Sequence, residues 1–287
     1  MNLTGWAYGQ ALWSIDGEIM IGSALSLKPV FTLEGKRVLV VGAGRPADSD
    51  LPLANGNATC RAIAQSGGIV ACADRDAHAA QRTVDDVLGA GGHAMRLIAD
   101  VSCTEQIPEL FDCAIKVMGG LDGLVMNVGI SFRTRLMDLD SRQWDQVMNV
   151  NTKAHVFCAK EALSRMTNGG SIVFVSSTAS RRPAGRNPAY EASKAALSAV
   201  CRSVALEGQP LGIRSNSVVL GLIDTPMGRL ASQARPGRVK QPLPFGRQGN
   251  ALEVAAAICF LLSDQASYIN AAELPVDGGR MAGISLQ

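Results

Sequence analysis

A tyrosine and a lysine, Tyr190 and Lys194, have the spacing that general-base catalysis by a phenol would require. Four residues apart on a helix, their side chains share one face. A phenol with a pKa near 10 is a poor base at neutral pH, but a nearby ammonium group favours its ionised form. Lowering that pKa by about 2 units needs roughly 2.7 kcal/mol, which a close, partly buried charge can supply. The alternative that the spacing alone leaves open is an exposed surface pair.

A serine supplies a second chemical group in the same region. Ser177 follows Ser176 at the end of an apolar run and stands thirteen residues before Tyr190. A hydroxyl at the carboxyl edge of a sheet could donate a hydrogen bond to a substrate oxygen as negative charge develops on it. A serine at the end of a strand is otherwise a turn or cap residue.

A glycine-rich turn follows the first predicted strand. The strand runs into Gly42 and Gly44, and the next helix is predicted to begin near Asn55 and Gly56. Glycine lets the backbone approach a pyrophosphate placed at a helix N-terminus. The inserted segment 45–53 breaks the usual spacing, so the motif by itself is little better than an ordinary glycine turn.

The second predicted strand ends at Asp74 and Arg75. A carboxylate at this point can accept hydrogen bonds from both ribose hydroxyls of an adenosine, and it repels a 2′-phosphate. We therefore predict NAD rather than NADP as the cofactor, although Arg45 and Arg75 could each reach a phosphate. The alternative for Asp74 is a turn residue or helix cap. Further candidate cofactor contacts follow strands three and four at the same sheet edge: Asp100, Val101, Asn127 and Gly129.

The segments that must position these residues alternate, from residue 34 onward, between short β-branched runs and longer stretches with helical spacing. The predicted strands are 37–41, 68–73, 93–99, 123–127, 171–177, 214–219 and 273–276. The predicted helices are 57–66, 77–89, 104–118, 141–166, 188–208 and 250–263. This alternation is typical of a doubly wound, Rossmann-type parallel sheet of about seven strands with helices on both faces, a three-layer α/β/α fold. We predict one domain over 34–287, preceded by an N-terminal arm of unknown role over 1–33.

Composition and charge restrict the class of protein further. The chain has 287 residues, with 27 basic and 25 acidic side chains and a net charge of +2, which gives no basis for expecting a nucleic-acid partner. No stretch approaches the roughly 18 apolar residues needed to span a bilayer, so no membrane partner is expected. Seven cysteines without a C-x-x-C pair predict reduced thiols in a cytoplasmic enzyme. Three scattered histidines predict no metal site.

Taken in order, these residues resemble those of the short-chain dehydrogenase/reductase family over roughly residues 31–281. The matching segments are 31–36, Gly42 to Gly56, Asn127 to Gly129, 144–151, Ser177, Tyr190, Lys194, Asn216, 221–227 and 276–279. The resemblance implies a catalytic tetrad of Asn151, Ser177, Tyr190 and Lys194. It also implies cofactor contacts from Gly221, Ile223 and Thr225, in addition to Tyr190 and Lys194.

The sequence departs from the family pattern at the cofactor end. The segment 45–53 lengthens the glycine motif, and Ala54 stands where its middle glycine would fall. Met126 replaces an asparagine before Asn127, and Leu220 replaces a proline before Gly221. None of these changes touches the tetrad.

The family's chemistry is hydride transfer between C4 of a nicotinamide and a secondary alcohol or ketone. The resemblance implies that Tyr190 exchanges the hydroxyl proton and that Ser177 stabilises the oxyanion. Lys194 would lower the pKa of the tyrosine and hold the nicotinamide ribose. Asn151 is similar to the residue that anchors a water linking this lysine to solvent.

Two rival functions stay open at this stage. The first is an NADPH-dependent carbonyl or 3-oxoacyl-type reductase that works in the opposite direction. The second is a non-catalytic, dinucleotide-binding regulatory protein, against which the intact tetrad argues. Fold alone does not separate these functions, because function must be argued from the site.

Cations are concentrated in the loops that are expected above the site: Arg133, Arg135, Arg181, Arg182, Arg186, Arg229, Arg235, Arg238 and Lys240. They could clamp an anionic substrate, or they could form a solvated rim without a ligand. Members of the family that the sequence resembles associate through the helices predicted here at 141–166 and 188–208. We therefore expect a homotetramer or homodimer.

Overall fold

The computed structural model describes residues 12–15, 18–21, 32–48, 50–183, 185–235, 237, 239–240 and 242–283. The chain forms two units, Met1–Val30 and Phe31–Gln287. In the first unit, strands β1 (Leu12–Ile15) and β2 (Glu18–Ile21) pair in antiparallel fashion, with Leu12 opposite Ile21. The predicted arm at 1–33 did not include this strand pair, and its role stays open.

The second unit is built on a parallel sheet of seven strands, which confirms the predicted Rossmann-type, three-layer fold. In their order across the sheet the strands are β11 (Glu273–Val276), β8 (Ile213–Leu220), β7 (Gly170–Ser177), β6 (Gly123–Met126), β3 (Arg37–Val41), β4 (Ile69–Asp74) and β5 (His93–Ile98). The chain proceeds from β3 to β5 on one side and from β6 to β8 on the other. The order therefore reverses between β3 and β6, where such sheets open a crevice for ligands.

Helices cover both faces of this sheet. In the described part they are α1 (Asn55–Gln65), α2 (Ala77–Gly89), α3 (Ile107–Met118), α4 (Ser141–Met148), α5 (Ala154–Arg165), α6 (Pro188–Gly208), α7 (Pro226–Gln233) and α8 (Ala251–Leu262). A short parallel pair, β9 (Ile223–Asp224) with β10 (Gly249–Asn250), lies outside the main sheet.

The apolar runs at the centre of the sheet become strands because both faces of β3, β4, β6, β7 and β8 are largely buried. Along β3, Leu39 belongs to a core cluster that includes Phe111 of α3. Val38 and Val40 belong to a second cluster with Ile63 of α1. Successive side chains of a strand point to opposite faces, so one short run supplies both halves of the core.

The predicted helix 141–166 is wrong in one respect, because it is not a continuous α-helix. A π-helical turn, Asn149–Lys153, separates α4 from α5. Such turns widen the hydrogen-bonded ladder by one residue and are frequent at functional sites. The periodicity of the sequence does not reveal this turn, because a single widened turn leaves the apolar spacing from α4 to α5 nearly unchanged.

An ion pair fastens the beginning of β3 to the loop before β6. Arg37 donates from Nε and from its backbone nitrogen to Oδ2 of Asp122, at 2.7 and 2.9 Å. Partial burial acts to raise the pKa of Asp122, but the hydrogen bonds and charge of Arg37 outweigh it, so the pKa lies below its ordinary value of 3.8. The ionised carboxylate therefore stabilises the fold.

We expect Asp122→Asn to lower the free energy of unfolding by about 1–2 kcal/mol at pH 7, because a charge-assisted, partly screened pair is lost. A depressed carboxyl pKa contributes stability above the unfolded value, and this contribution is lost as the pH falls through about 4 and below. The difference between variant and wild type in urea unfolding should therefore shrink at pH 3.5. Asp112→Asn removes an exposed partner of Arg165 and should change stability by less than about 0.5 kcal/mol. Equal effects of the two substitutions would contradict the assignment.

Candidate active site

A cavity of about 750 Å³ lies at the carboxyl edge of the sheet, past the ends of β3, β6, β7 and β8. Most of the predicted site residues line it: Gly44, Asn55, Asn127, Gly129, Ser177, Tyr190, Lys194, Gly221, Ile223 and Thr225. They come from loops far apart in the chain, and the parallel strands bring their carboxyl ends to one place.

Tyr190 and Lys194 share one face of α6, as their spacing predicted. The ammonium nitrogen of Lys194 lies 5.8 Å from the centre of the Tyr190 ring. Lys194 is buried, and its Nζ donates a hydrogen bond to the carbonyl oxygen of Val175 at 2.8 Å. Burial lowers the pKa of Lys194 from 10.5 to about 8. The lysine thus holds a cation beside the phenol at neutral pH.

The two serines at the end of β7 have different hydrogen-bond partners. Ser176 is buried and donates its hydroxyl hydrogen to the carbonyl oxygen of Lys194 at 3.1 Å. The Ser177 hydroxyl accepts a hydrogen bond from the backbone nitrogen of Ala179 at 3.2 Å. This acceptor role leaves the Ser177 hydrogen available for a substrate oxygen in the cavity, whereas the Ser176 hydrogen is used inside the fold.

Asn151 lies on the π-helical turn and does not line the cavity. Its side chain accepts from the backbone nitrogen of Ile130 at 2.8 Å and donates to the Ile130 carbonyl at 3.0 Å. It also donates to the hydroxyl of Ser193 at 3.0 Å, which in turn donates to the carbonyl oxygen of Tyr190 at 2.8 Å. Asn151 therefore joins the loop after β6 to the helix that carries Tyr190. Sequence reasoning missed Ser193, whose only signal was its place between Tyr190 and Lys194.

The glycines of the first turn are required by close packing. Gly42 has a φ of +86°, and a Cβ there would lie 2.7 Å from the backbone nitrogen of Val128. A Cβ on Gly56 would collide with the carbonyl oxygen of Gly42. That oxygen accepts a hydrogen bond from Nδ2 of Asn127 at 2.7 Å. The beginning of α1 is thereby held directly against the ends of β3 and β6.

The inserted segment leaves this arrangement in place because it is bonded to α2. Arg45 donates its backbone nitrogen to the carbonyl of Ala79 at 3.0 Å, and its Nε lies 2.9 Å from Oδ2 of Asp86. Arg82 donates its Nε to the carbonyl of Arg45 at 2.8 Å. The insertion is therefore held against α2, and Gly44 remains in the cavity lining together with Pro46.

The N-terminus of α1 fits an anionic dinucleotide. Ala54 caps the helix without a side-chain hydrogen bond, and helix N-termini favour negative charge through their unpaired N–H groups. The buried Oδ1 of Asn55, which lines the cavity, has no hydrogen-bond partner among the described residues. The N–H groups at this helix N-terminus can donate to a pyrophosphate, and a ribose hydroxyl can donate to Oδ1 of Asn55.

The remaining predicted cofactor contacts lie outside the cavity lining. Oδ2 of Asp74, at the end of β4, accepts a hydrogen bond from the backbone nitrogen of Gly44 at 2.9 Å, so this carboxylate adjoins the lining. Arg75 is exposed. Asp100 accepts hydrogen bonds from Ser102, while Val101 is buried in the core.

Two other predicted cofactor contacts, Gly221 and Thr225, also have structural roles in the fold. Gly221 is required because a Cβ there would lie 2.7 Å from Cα of Asp277. Thr225 caps α7 by accepting a hydrogen bond from the backbone nitrogen of Gly228 at 3.1 Å. Both still face the cavity. The tight turn and the cap therefore fix the cavity wall after β8.

Only some of the cations predicted in the loops above the site line the cavity. Arg133, Arg182, Arg186 and Arg235 line the cavity, as does Arg280, which sequence reasoning missed. Arg181 and Arg229 do not line it and pair instead with Glu273 and Asp224. Arg135 and Lys240 are absent from the lining, and Arg238 lies outside the described residues.

The described residues contain no metal site, membrane span or disulfide. No group of three or more His, Cys, Asp or Glu side chains there could hold a metal ion. None of the described helices combines the length and apolar character needed to cross a bilayer. All seven cysteines are free thiols.

The fold and the site together define a class: an α/β oxidoreductase whose nucleotide site and Tyr–Lys pair share one crevice. Residues 55–280 match the family described as Enoyl-(Acyl carrier protein) reductase. The oxidoreductase YgfF of Escherichia coli is 38% identical over 236 residues, which cover 78% of this chain and 95% of the relative.

Solved structures show the same likeness. A protein assigned as a short-chain alcohol dehydrogenase from Sinorhizobium meliloti superposes with a TM-score of 0.82 at 32% identity, covering 89% of this chain and 100% of that one. A protein assigned as a 2-deoxy-d-gluconate 3-dehydrogenase from Agrobacterium tumefaciens, with bound NADP, gives 0.77 at 33% identity over 89% and 100%. The chain belongs to the short-chain dehydrogenase/reductase family.

Proposed function

We propose that the protein is an NAD(P)-dependent oxidoreductase that interconverts a secondary alcohol and a ketone by hydride transfer. The observation that carries this proposal is the placement of Tyr190, Lys194 and Ser177 in one cavity with the N-terminus of α1. A bound nicotinamide would supply or accept the hydride. The residues that would hold the dinucleotide are Gly44, Asn55, Asn127 and Lys194, with Gly129 leaving room beside the lysine.

The chain's own residues manage the proton and the charge on the substrate oxygen. Tyr190 takes the hydroxyl proton in oxidation and returns it in reduction. The Lys194 ammonium stabilises the ionised phenol, and its burial excludes the water that would weaken this attraction. Ser177 donates a hydrogen bond to the substrate oxygen, where charge develops in the transition state. Asn151 and Ser193 act indirectly, by fixing the position of the helix that carries Tyr190.

A screen of secondary alcohols with NAD and NADP, and of ketones with NADH and NADPH, tests the proposal. Turnover that depends on Tyr190 is the expected result. If the protein binds cofactor but shows no rate with any member of the panel, and if Tyr190→Phe retains the cellular role, the regulatory alternative replaces this proposal. Faster turnover with NADPH and ketones would instead support the reductase alternative.

A preference for NAD rests on Asp74. Its carboxylate lies at the end of β4 beside Gly44, where the family's adenosine ribose would be held. An anion in this position repels a 2′-phosphate. The relative from Agrobacterium tumefaciens holds NADP, so fold likeness by itself does not favour either cofactor.

We expect Asp74→Asn to raise KM for NAD and to lower KM for NADP, each by about tenfold, because an amide cannot repel the phosphate. Asparagine keeps an acceptor for the Gly44 nitrogen and loses only the one that Asp74 offers to the exposed backbone nitrogen of Asp76, so the turn should survive. Steady-state kinetics with both cofactors measure the change, and Asp85→Asn, an exposed site on α2, is the charge-matched control. A wild-type preference for NADP would refute the role given to Asp74.

We further propose a homo-oligomer, a tetramer or dimer, that forms through α4, α5 and α6. The outer face of α6 carries small exposed residues, Ala192, Ala195 and Ala199, which permit close approach of another helix. Trp144 of α4 and Phe157 of α5 are each 38% exposed and add large apolar surface that a second subunit could cover. Light scattering at micromolar concentration should give two or four times the mass of 30.1 kDa. A monomeric mass would contradict this assembly.

A cytoplasmic location stays a prediction that rests on the free thiols.

A further inference from the structure

Positive charge is concentrated in the cavity wall. Among the described residues, five guanidinium groups line the cavity, against one carboxylate, that of Glu191, which has its own contact. None of the five forms an ion pair with a described carboxylate, whereas Arg181 and Arg229, their neighbours in sequence, both do. Within the described part of the chain, the arginines that face the cavity therefore have no acidic partner.

Arg133 lines the cavity together with Tyr190. It follows β6 with a φ of +59°, a left-handed backbone that is uncommon for residues other than glycine. Its Nη2 donates to the carbonyl oxygen of Met227 at 3.2 Å, which fixes the guanidinium between the loop after β6 and α7. Burial and the charge of Arg235 lower the pKa of Arg133, while Tyr190 acts in the opposite direction. Arg133, Arg235 and Tyr190 all line the same cavity, so their charges act on one another across it.

Arg235 lies just after the end of α7 and lines the same cavity as Arg133. Its Nε is a buried atom without a hydrogen-bond partner among the described residues. A buried N–H donor without an acceptor costs free energy, and a bound ligand can remove this cost by supplying the acceptor. Arg133 donates one hydrogen bond to a backbone carbonyl, and Nε of Arg235 donates none to a described residue. These two groups of like charge line the cavity that also holds Tyr190, and together they form a ready site for an oxyanion.

Arg182 and Arg280 form a second positive group on the cavity wall. Arg182 donates to the carbonyl of Arg280 at 3.2 Å, and Asp277 stands near Arg280 without forming an ion pair. Asp277 gives this second group a nearby acid, and Arg186, the fifth guanidinium, is exposed. Arg133 and Arg235 are half-buried, and no described carboxylate forms an ion pair with either of them, so these two are the candidates for holding an anion.

We propose that Arg133 and Arg235 bind an anionic group of the substrate, a carboxylate or a phosphate ester, and so make the enzyme selective for an acidic alcohol or ketone. This inference rests on the proposed oxidoreductase function and specifies its substrate class. The pair lies at the Tyr190 end of the cavity, while the pyrophosphate is expected near Gly44 and Asn55 at the α1 end. The two guanidiniums are thus placed to hold the substrate rather than the dinucleotide.

Matched substrate pairs test this assignment. For the carboxylate arm we would compare acetoacetate, 4-oxopentanoate and 5-oxohexanoate with their methyl esters. For the phosphate arm we would compare dihydroxyacetone phosphate with dihydroxyacetone. The ratio of kcat/KM for the charged member over the neutral member should exceed 10 in one arm. It should fall at least tenfold in Arg133→Gln and in Arg235→Gln, with most of the change in KM.

Arg96→Gln serves as the charge-matched control, because Arg96 is exposed on β5 and does not line the cavity. It should leave the ratio unchanged. A second readout does not need turnover: glutarate and inorganic phosphate should raise the melting temperature of the cofactor-loaded wild type but not of the double variant Arg133→Gln/Arg235→Gln. Melting of the free variants shows whether they fold.

The outcomes separate the two proposals. Efficient turnover of neutral members with no charged preference in either arm overturns the anion site and leaves the oxidoreductase function intact. A charged preference that survives both substitutions also overturns it. If no pair is turned over, the melting experiment decides. A rise in melting temperature with glutarate or phosphate that is lost in the double variant supports the anion site, and the absence of such a rise in the wild type refutes the site.

Discussion

Replacing Tyr190 with phenylalanine should lower kcat/KM for any alcohol or ketone substrate by about 10²–10⁴-fold, the range that a positioned general acid or base contributes. The substitution deletes a single oxygen and leaves the ring that packs beside Lys194. Affinity for the cofactor should change much less, because the pyrophosphate site at α1 is untouched. Steady-state rates and quenching of protein fluorescence by the cofactor measure the two effects separately.

The chain offers a matched control for this substitution. Tyr268 is fully exposed and lies outside the cavity lining, so Tyr268→Phe should leave both rate and cofactor affinity unchanged. If Tyr190→Phe kept more than a tenth of the wild-type kcat/KM with a saturating cofactor, the assignment of Tyr190 as the proton-transferring group would be wrong. Equal melting temperatures of the two variants would show that any loss is chemical.

The second large effect concerns Lys194. With Lys194→Met the cation beside the phenol disappears, and an opposite charge at this range shifts a pKa by about 1–3 units. We expect kcat/KM for alcohol oxidation at pH 7 to fall by about 10–100-fold. The rising limb of its pH profile should move towards alkaline pH by about 1–2 units. Because the tyrosine and lysine titrate as a coupled pair, the profile reports apparent values for both.

Loss of Lys194 should not destabilise the protein, which separates its catalytic role from a structural one. Burial holds the pKa of Lys194 at about 8 instead of 10.5, a shift that corresponds to about 3 kcal/mol against folding at pH 7. The unfolded chain binds more protons between these values, so this group makes wild-type stability rise with pH from 8 to 10.5. The unpaired carbonyl of Val175 costs about 1–3 kcal/mol in the variant and offsets the gain.

Calorimetry and pH–rate profiles therefore decide the matter together. The melting temperature of Lys194→Met at pH 7 should equal or exceed that of the wild type, and the rise in stability above pH 8 should be absent. Lys160→Met, which removes an exposed lysine from α5, should alter neither the rate nor its pH dependence. A marked loss of stability with an unshifted pH profile would instead make Lys194 a structural residue.

Several features of the site could be predicted because they are local in the chain. The Tyr190 and Lys194 pair follows from helical spacing, and the strand that delivers Ser177 follows from an unbroken apolar run. Both depend on neighbours within a few residues, where backbone geometry fixes which side chains share a face. For the same reason the predicted strands and most helices agree with the structure to within one or two residues.

The choice of hydrogen-bond partners could not be predicted. Asp74 binds the backbone of Gly44 instead of lining the cavity, and Asn151 joins Ile130 to Ser193. The π-helical turn that carries Asn151 was also invisible, because a single widened turn leaves the apolar periodicity nearly intact. These features depend on which loops the sheet brings together.

The sequence by itself determined the order of strands and helices, the family pattern and the identity of the groups that can exchange a proton. These are set by periodicity and by residue type, which are properties of short segments. Only the tertiary structure decided which arginines face the cavity: Arg181 and Arg229 pair with Glu273 and Asp224, whereas no described carboxylate pairs with Arg133 or Arg235. Charge pairing is settled by distances between segments that the chain order leaves free. That pairing turns a general surplus of arginine into a defined candidate for substrate recognition.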